Sequence, residues 1–168
     1  ASDIAMNAEI QFFPGIKTSQ IHDVLIQSAV ELISEKTPNY QYVAGNLLNY
    51  LLRKEVFEVK TDMPHLWTVI TDNIKREVYD PIILEKYSTE EISALNLYIK
   101  HKRDYDFTYA GLQQLMDKYL VQHRKTKSIY ETPQYAFMLI AMTVFMDYEK
   151  HSRFKHIKEL YDLISLQK

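Results

Sequence analysis

The sequence contains no cysteine among its 168 residues. That excludes a disulfide framework, a thiolate metal site and any thiyl-radical step carried by these residues. It suits a reducing compartment, and the cytoplasm is the expected location. Glycine occurs three times and proline five times, too few for the many tight turns of an all-β design. The longest apolar-rich run, 135–146, falls far short of the roughly 20 residues that a membrane span requires, so no membrane contact is expected. The first residues show no basic-then-apolar leader. Neither sign of charge dominates. The formal net charge is −2, so no global field draws the chain to nucleic acid or to an anionic membrane. The densest basic group, Arg124-Lys-Thr-Lys127, is short and reads as a solvated turn.

Several chemical signatures are also missing. There is no Gly-x-Gly-x-x-Gly, no Walker loop and no Gly-x-Ser-x-Gly, which removes the common phosphate cradles and the hydrolase elbow. The six histidines are scattered. None stands in a His-Glu-x-x-His or Glu-x-x-His pattern, so no metal site is expected. His151 and His156 are five apart, a poor match to one helix face, and read as solvent-facing. Arg103-Asp104 and Asp106 form a charged knot that reads as a turn held by local salt bridges rather than as an acid–base pair.

What is present is ordinary globular material: 46% apolar and 25% charged residues, enough for one or two small domains with a real core. The apolar spacing is helical almost throughout. Ser2 or Asp3 caps a first helix to about Phe12, and Pro14-Gly15 breaks it. Thr18 or Ser19 caps a second, with Ile21, Val24, Leu25, Ala29, Leu32 and Ile33 on one face. Thr37-Pro38 ends it and opens a third with Pro38 in its first turn, carrying Val43, Leu47, Leu48, Leu51 and Leu52. The short joint makes these two an antiparallel pair.

Further helices open at Asp62-Met63-Pro64, at Asp80-Pro81 and at the capping box Ser88-Thr-Glu-Glu91. Another covers 109–118. Residues 119–122 and 128–130 flank the basic turn as a small hairpin, which needs helices to lie against. Pro133 starts a helix apolar on nearly every side, as expected at the centre of a bundle. The last helix carries Phe154, Ile157, Leu160, Tyr161 and Ile164. The 13 tyrosines read as packing residues with a polar tip. The expected fold is all-α, a multi-helix bundle with at most one small β-hairpin.

One constellation gathers functional groups. Thr18 and His22 are four apart on one helix face, and so are Tyr50 and Lys54 on the next long helix. An antiparallel pairing brings hydroxyl, imidazole, aromatic ring and ammonium to one end. An aromatic stacks a base, and a lysine beside a histidine holds phosphate. Spacing alone does not separate this from a capping Thr, a surface His, a core-edge Tyr and a solvated Lys.

Four motifs occur in order: Gly15-Ile-Lys-Thr-Ser-Gln-Ile-His22, Pro38-Asn-Tyr-Gln-Tyr-Val-Ala44, Lys118-Tyr-Leu-Val-Gln122 and Tyr130-Glu-Thr-Pro-Gln134. With them the sequence, from about Glu9 to Lys168, resembles the N-terminal region of the large (alpha) subunit of class I ribonucleotide reductase. The resemblance implies a truncated ATP cone over 1–58 and, over 59–168, the helical lead-in to a catalytic barrel. It implies ATP and dATP as allosteric ligands, touched by Thr18 and His22 from the first long helix and by Tyr50 and Lys54 from the next. Tyr50 stands where relatives often have another aromatic.

The family's cone opens with a strand pair bearing a Lys-Arg-Asp-Gly type turn that has no counterpart here, and that pair supplies much of the phosphate contact. The barrel's radical cysteine and redox cysteine pair are likewise absent, so no reductase activity is expected of these residues alone. The absence of Glu-x-x-His sets the sequence apart from the enzyme's di-iron small subunit. Implied partners are the remainder of the large subunit, the class I small subunit and a second copy. The role implied is allosteric, in an enzyme making deoxyribonucleotides for DNA synthesis. Two alternatives stand beside it: one chain of a naturally split reductase, and a free-standing helical binding module.

Overall fold

Residues 2–9, 14–58 and 62–167 are described in a computed structural model of the chain. In order they form α1 (Ser2–Glu9), α2 (Thr18–Glu31), α3 (Tyr40–Phe57), α4 (Leu66–Lys75), α5 (Ile82–Lys86) and α6 (Thr89–Tyr98). A 3-10 helix (His101–Asp106), α7 (Tyr109–Lys118), α8 (Pro133–Val144) and α9 (Lys150–Ser165) follow. No strand occurs among the described residues, and the fold is all-α. The expected extension of the first helix to Phe12 runs onto residues 10–13, which lie outside the described residues.

The caps show where local chemistry decided the boundaries. Lys17, not Thr18 or Ser19, is the extended residue that enters α2, and its backbone N–H donates to Gln20 Oε1 at 3.0 Å. Pro38 stands in the turn before α3 rather than inside it: its carbonyl accepts the Gln41 N–H at 3.2 Å, and Asn39 holds the cap position without a side-chain bond. The Ser88 box forms as its sequence implies. Glu91 N–H donates to Ser88 Oγ at 3.3 Å, and Ser88 N–H donates to Glu91 Oε2 at 2.8 Å. The second oxygen of Glu91 accepts from Arg153, so this cap also ties α6 to α9.

The expected hairpin contracts to a single antiparallel bridge, Gln122 to Ile129. It lies against helices, as a two-stranded ribbon must. Asn73 Nδ2 of α4 donates to Tyr130 O at 3.0 Å. Buried Glu131 accepts the Val121 N–H at 2.9 Å and the Tyr79 hydroxyl.

Two apolar clusters share α3. The larger joins Leu48 and Leu52 to Leu66, Ile70, Ile92, Leu95, Leu112, Ile157 and α8. The smaller joins Ala44 to Ile4 and Ala29 of α1 and α2. Gly45 lets α3 approach the 107–109 segment closely, since a Cβ there would stand 2.5 Å from Phe107 O. Helix α8 is buried from Pro133 to Met138 and again at Ala141 and Met142, but Ile140 and Val144 are 48% and 56% exposed. Its outer side therefore faces solvent, whereas the sequence pattern predicts a place at the centre of the bundle. The buried tyrosines direct their hydroxyls to fixed acceptors: Tyr87 to Met142 O at 2.7 Å, Tyr135 to Pro64 O and Tyr161 to Gln134 Oε1 at 2.5 Å.

The charged knot is not local. Arg103 reaches Asp162 of α9 at 2.6 Å, and Asp104 reaches Arg53 of α3 at 3.1 Å. Gln134 of α8 donates to the other oxygen of Asp104 at 3.0 Å. A reading by sequence neighbourhood misses these partners because each is about 30 to 60 residues away.

Candidate functional site

Helices α2 and α3 pack against each other with the start of one beside the end of the other. The His22 and Tyr50 rings meet across that joint, stacked with centroids 5.6 Å apart and planes 15° from parallel. Both residues are half-buried. Lys54 stands one turn beyond Tyr50 on the same face of α3 and is also half-buried. Its backbone carbonyl accepts the Glu58 N–H at 3.0 Å, closing the helix where Glu58 turns left-handed at φ 58°. Thr18 supplies the first backbone position of α2, and its side chain lies outside the described residues.

The structure thus joins two of the four candidate residues by direct contact and sets a third next along one helix face. Such an arrangement offers a flat aromatic pair beside an ammonium group.

Two acidic residues belong to the same end and went unnoticed in the sequence. Glu55 has its carboxyl pushed up by partial burial and, second, by the negative charge of Asp23. Asp23 follows His22 and Glu55 follows Lys54, so the spacing that gathered the candidate pair also gathers this one.

The opposite side of α3 is built differently. Arg53 is 3% exposed. It donates to Asp104, to His101 O at 2.7 Å and to the Tyr105 hydroxyl at 3.1 Å. Burial pushes the Asp104 carboxyl up to about 6, against the pull of Gln134 and Arg53. Burial first, and Arg53 second, hold the His101 imidazole down to about 4. Neighbouring residues 53 and 54 thus serve the helix core and the candidate site respectively.

Among the described residues no group of three or more His, Asp or Glu side chains is arranged to hold a metal ion. No helix among them is long and apolar enough to cross a membrane.

Comparison with known proteins gives this architecture a family. Residues 105–168 match the family described as ribonucleotide reductase, all-alpha domain. Over 164 residues, 98% of the chain, the sequence is 42% identical to the ribonucleoside-diphosphate reductase subunit alpha of Buchnera aphidicola subsp. Baizongia pistaciae. It is 38% identical over the same share to ribonucleoside-diphosphate reductase 1 subunit alpha of Escherichia coli K12. Against the subunit alpha of Enterobacteria phage T4 it is 43% identical over 154 residues, 90% of the chain. These alignments take in 21%, 21% and 20% of the relatives, so the chain spans about a fifth of their length. The family match and the near-complete alignments agree with the helical architecture, and the chain belongs to the ribonucleoside-diphosphate reductase alpha-subunit family, as an N-terminal region of that subunit.

Proposed function

We propose that these residues act as the nucleotide-sensing lead-in of a class I ribonucleoside-diphosphate reductase. In this reading, 1–58 forms part of an ATP cone and 59–168 carries its state towards the catalytic barrel. ATP and dATP are the ligands. Tyr50 offers its ring to the base, Lys54 beside His22 holds the phosphate, and Thr18 joins them by its motif position. The single observation that supports this most is the His22–Tyr50 stack at the joint of α2 and α3. The whole enzyme would reduce ribonucleoside diphosphates, with the rest of the alpha subunit and a di-iron small subunit as partners and self-association of the alpha subunit in addition. Reduction itself lies outside these residues' chemistry, because they contain no cysteine to carry a thiyl radical or a redox pair.

Calorimetric titration of dATP tests the reading. The wild-type chain is expected to bind, and the His22→Ala, Lys54→Ala double variant to bind at least about tenfold more weakly. Equal binding by the two proteins would remove both residues from the site.

A further inference from the structure

A second cleft lies on the other side of α3, between Arg53, the 62–64 segment, Asn96 and the 3-10 helix. Its volume is about 690 Å³, within the range of small-molecule sites. Its polar lining is one-sided. Lys100 and Lys102 are exposed at the rim, with the Lys100 ammonium 5.9 Å from the centre of the Tyr98 ring just outside it. Asn96 has already committed its carbonyl oxygen to the Leu66 N–H at 2.8 Å, so its amide hydrogens are what it has left to offer. The Tyr105 oxygen accepts from Arg53 Nη1, which leaves the phenolic hydrogen to donate. Arg53 lines the cleft while 97% buried, and its Nε has no partner. Against these donors stand Asp62, the one carboxylate among the lining residues, and the neutral imidazole of His101.

We propose that this cleft is a binding site for a phosphate-type oxyanion, formed by Lys100, Lys102, Asn96 and Tyr105 over the buried Arg53 guanidinium. Two compact ammonium groups suit a tetrahedral anion approached from solvent. The neutral donors set its depth, and the guanidinium below is held in place by Asp104, which also balances its charge. Asp62 guards one side and selects against a more highly charged ligand. Met63, Pro64 and Ile99 give the remaining wall an apolar character, so the ligand is a small molecule that carries the anion on a less polar body. The site shares no lining residue with the His22–Tyr50 pair and does not depend on the nucleotide reading above.

Residue-resolved NMR of the 168-residue chain tests this, with inorganic phosphate as the probe and sodium chloride at matched ionic strength as the control. The expected result is saturable movement of the Lys100, His101 and Lys102 amide signals with phosphate and not with chloride. A Lys100→Gln, Lys102→Gln variant should weaken that response about tenfold. Both side chains are exposed; Lys100 meets Tyr161 through its backbone N–H at 2.8 Å, and its ammonium adds only a long contact of 5.9 Å to the Tyr98 ring, so the fold depends little on them. The proposal is overturned if chloride moves the same signals equally, if phosphate moves only signals around His22 and Tyr50, or if the variant responds like wild type.

Discussion

Arg53 of α3 and Asp104 of the 3-10 helix meet at 3.1 Å with their side chains 4% and 0% exposed. Removing one member of such a pair leaves the other charge buried and uncompensated, at a cost of about 3–5 kcal/mol. Replacing both by apolar groups of similar size costs much less, since the desolvation penalty disappears together with the attraction. Urea unfolding of Arg53→Met, Asp104→Leu and the double variant should therefore show strong non-additivity, with the double variant more stable than the sum of the singles. Additive losses would show that the pair is not energetically coupled.

His101 and Asp104 push stability in opposite directions as pH changes. Unfolded, His101 titrates near 6.5; folded, near 4. Its neutral form contributes stability that is present above 6.5 and is lost as pH falls towards 4. Asp104 titrates near 3.8 unfolded and near 6 folded. Its contribution is largest below 3.8 and is lost as pH rises through 6. His101→Gln removes only the first effect. Relative to wild type, that variant should gain stability on acidification from pH 6.5 to 4, with a slope of up to about 1.4 kcal/mol per pH unit. Parallel stability curves for the two proteins would contradict the histidine assignment.

Glu91 serves two structures at once, and the two serine–glutamate substitutions should differ accordingly. Ser88→Ala removes one cap and should cost about 1 kcal/mol. Glu91→Ala removes the reciprocal cap bond and also strands Arg153, which is 3% exposed over the Tyr87 ring at 4.2 Å. That loss should reach about 3 kcal/mol or more. Thermal unfolding of both variants separates the cases, and equal losses would mean that the Glu91–Arg153 contact contributes nothing.

Tyr50 contributes an aromatic face rather than a hydroxyl in the proposed nucleotide site. Tyr50→Phe should bind dATP like wild type, whereas Tyr50→Leu should lose about 1–3 kcal/mol of binding through lost stacking. A titration in which Phe fails as badly as Leu would shift the role to the phenol oxygen.

Much of this fold was legible in the sequence because its rules are local. The Ser88–Glu91 box, the three-four spacing along α2 and α3 and the proline at the start of α8 each specify structure within a few residues. Gathering His22 and Tyr50 at one end of the α2–α3 pair also followed from spacing, once the short joint fixed an antiparallel pair, but their ring-to-ring stack did not. The partners of the charged knot did not follow. Arg53 and Asp104 are 51 residues apart, and nothing in either neighbourhood says that α3 and the 3-10 helix touch. The entry into α2 at Lys17 was hidden because Gln20, and not a Ser or Thr side chain, supplies the capping acceptor. Exposure of Ile140 and Val144 was hidden because an apolar surface residue looks the same in sequence as a buried one.

The central claim is that the joint of α2 and α3 binds adenine nucleotide through His22, Tyr50 and Lys54. The most direct measurement is an NMR titration of the 168-residue chain with dATP, reading every assigned amide and the His22 and Tyr50 ring signals. The account predicts saturable movement centred on His22, Tyr50 and Lys54, with the two ring signals shifting together. Unchanged ring signals at saturating dATP, or movement confined to other parts of the chain, would contradict it.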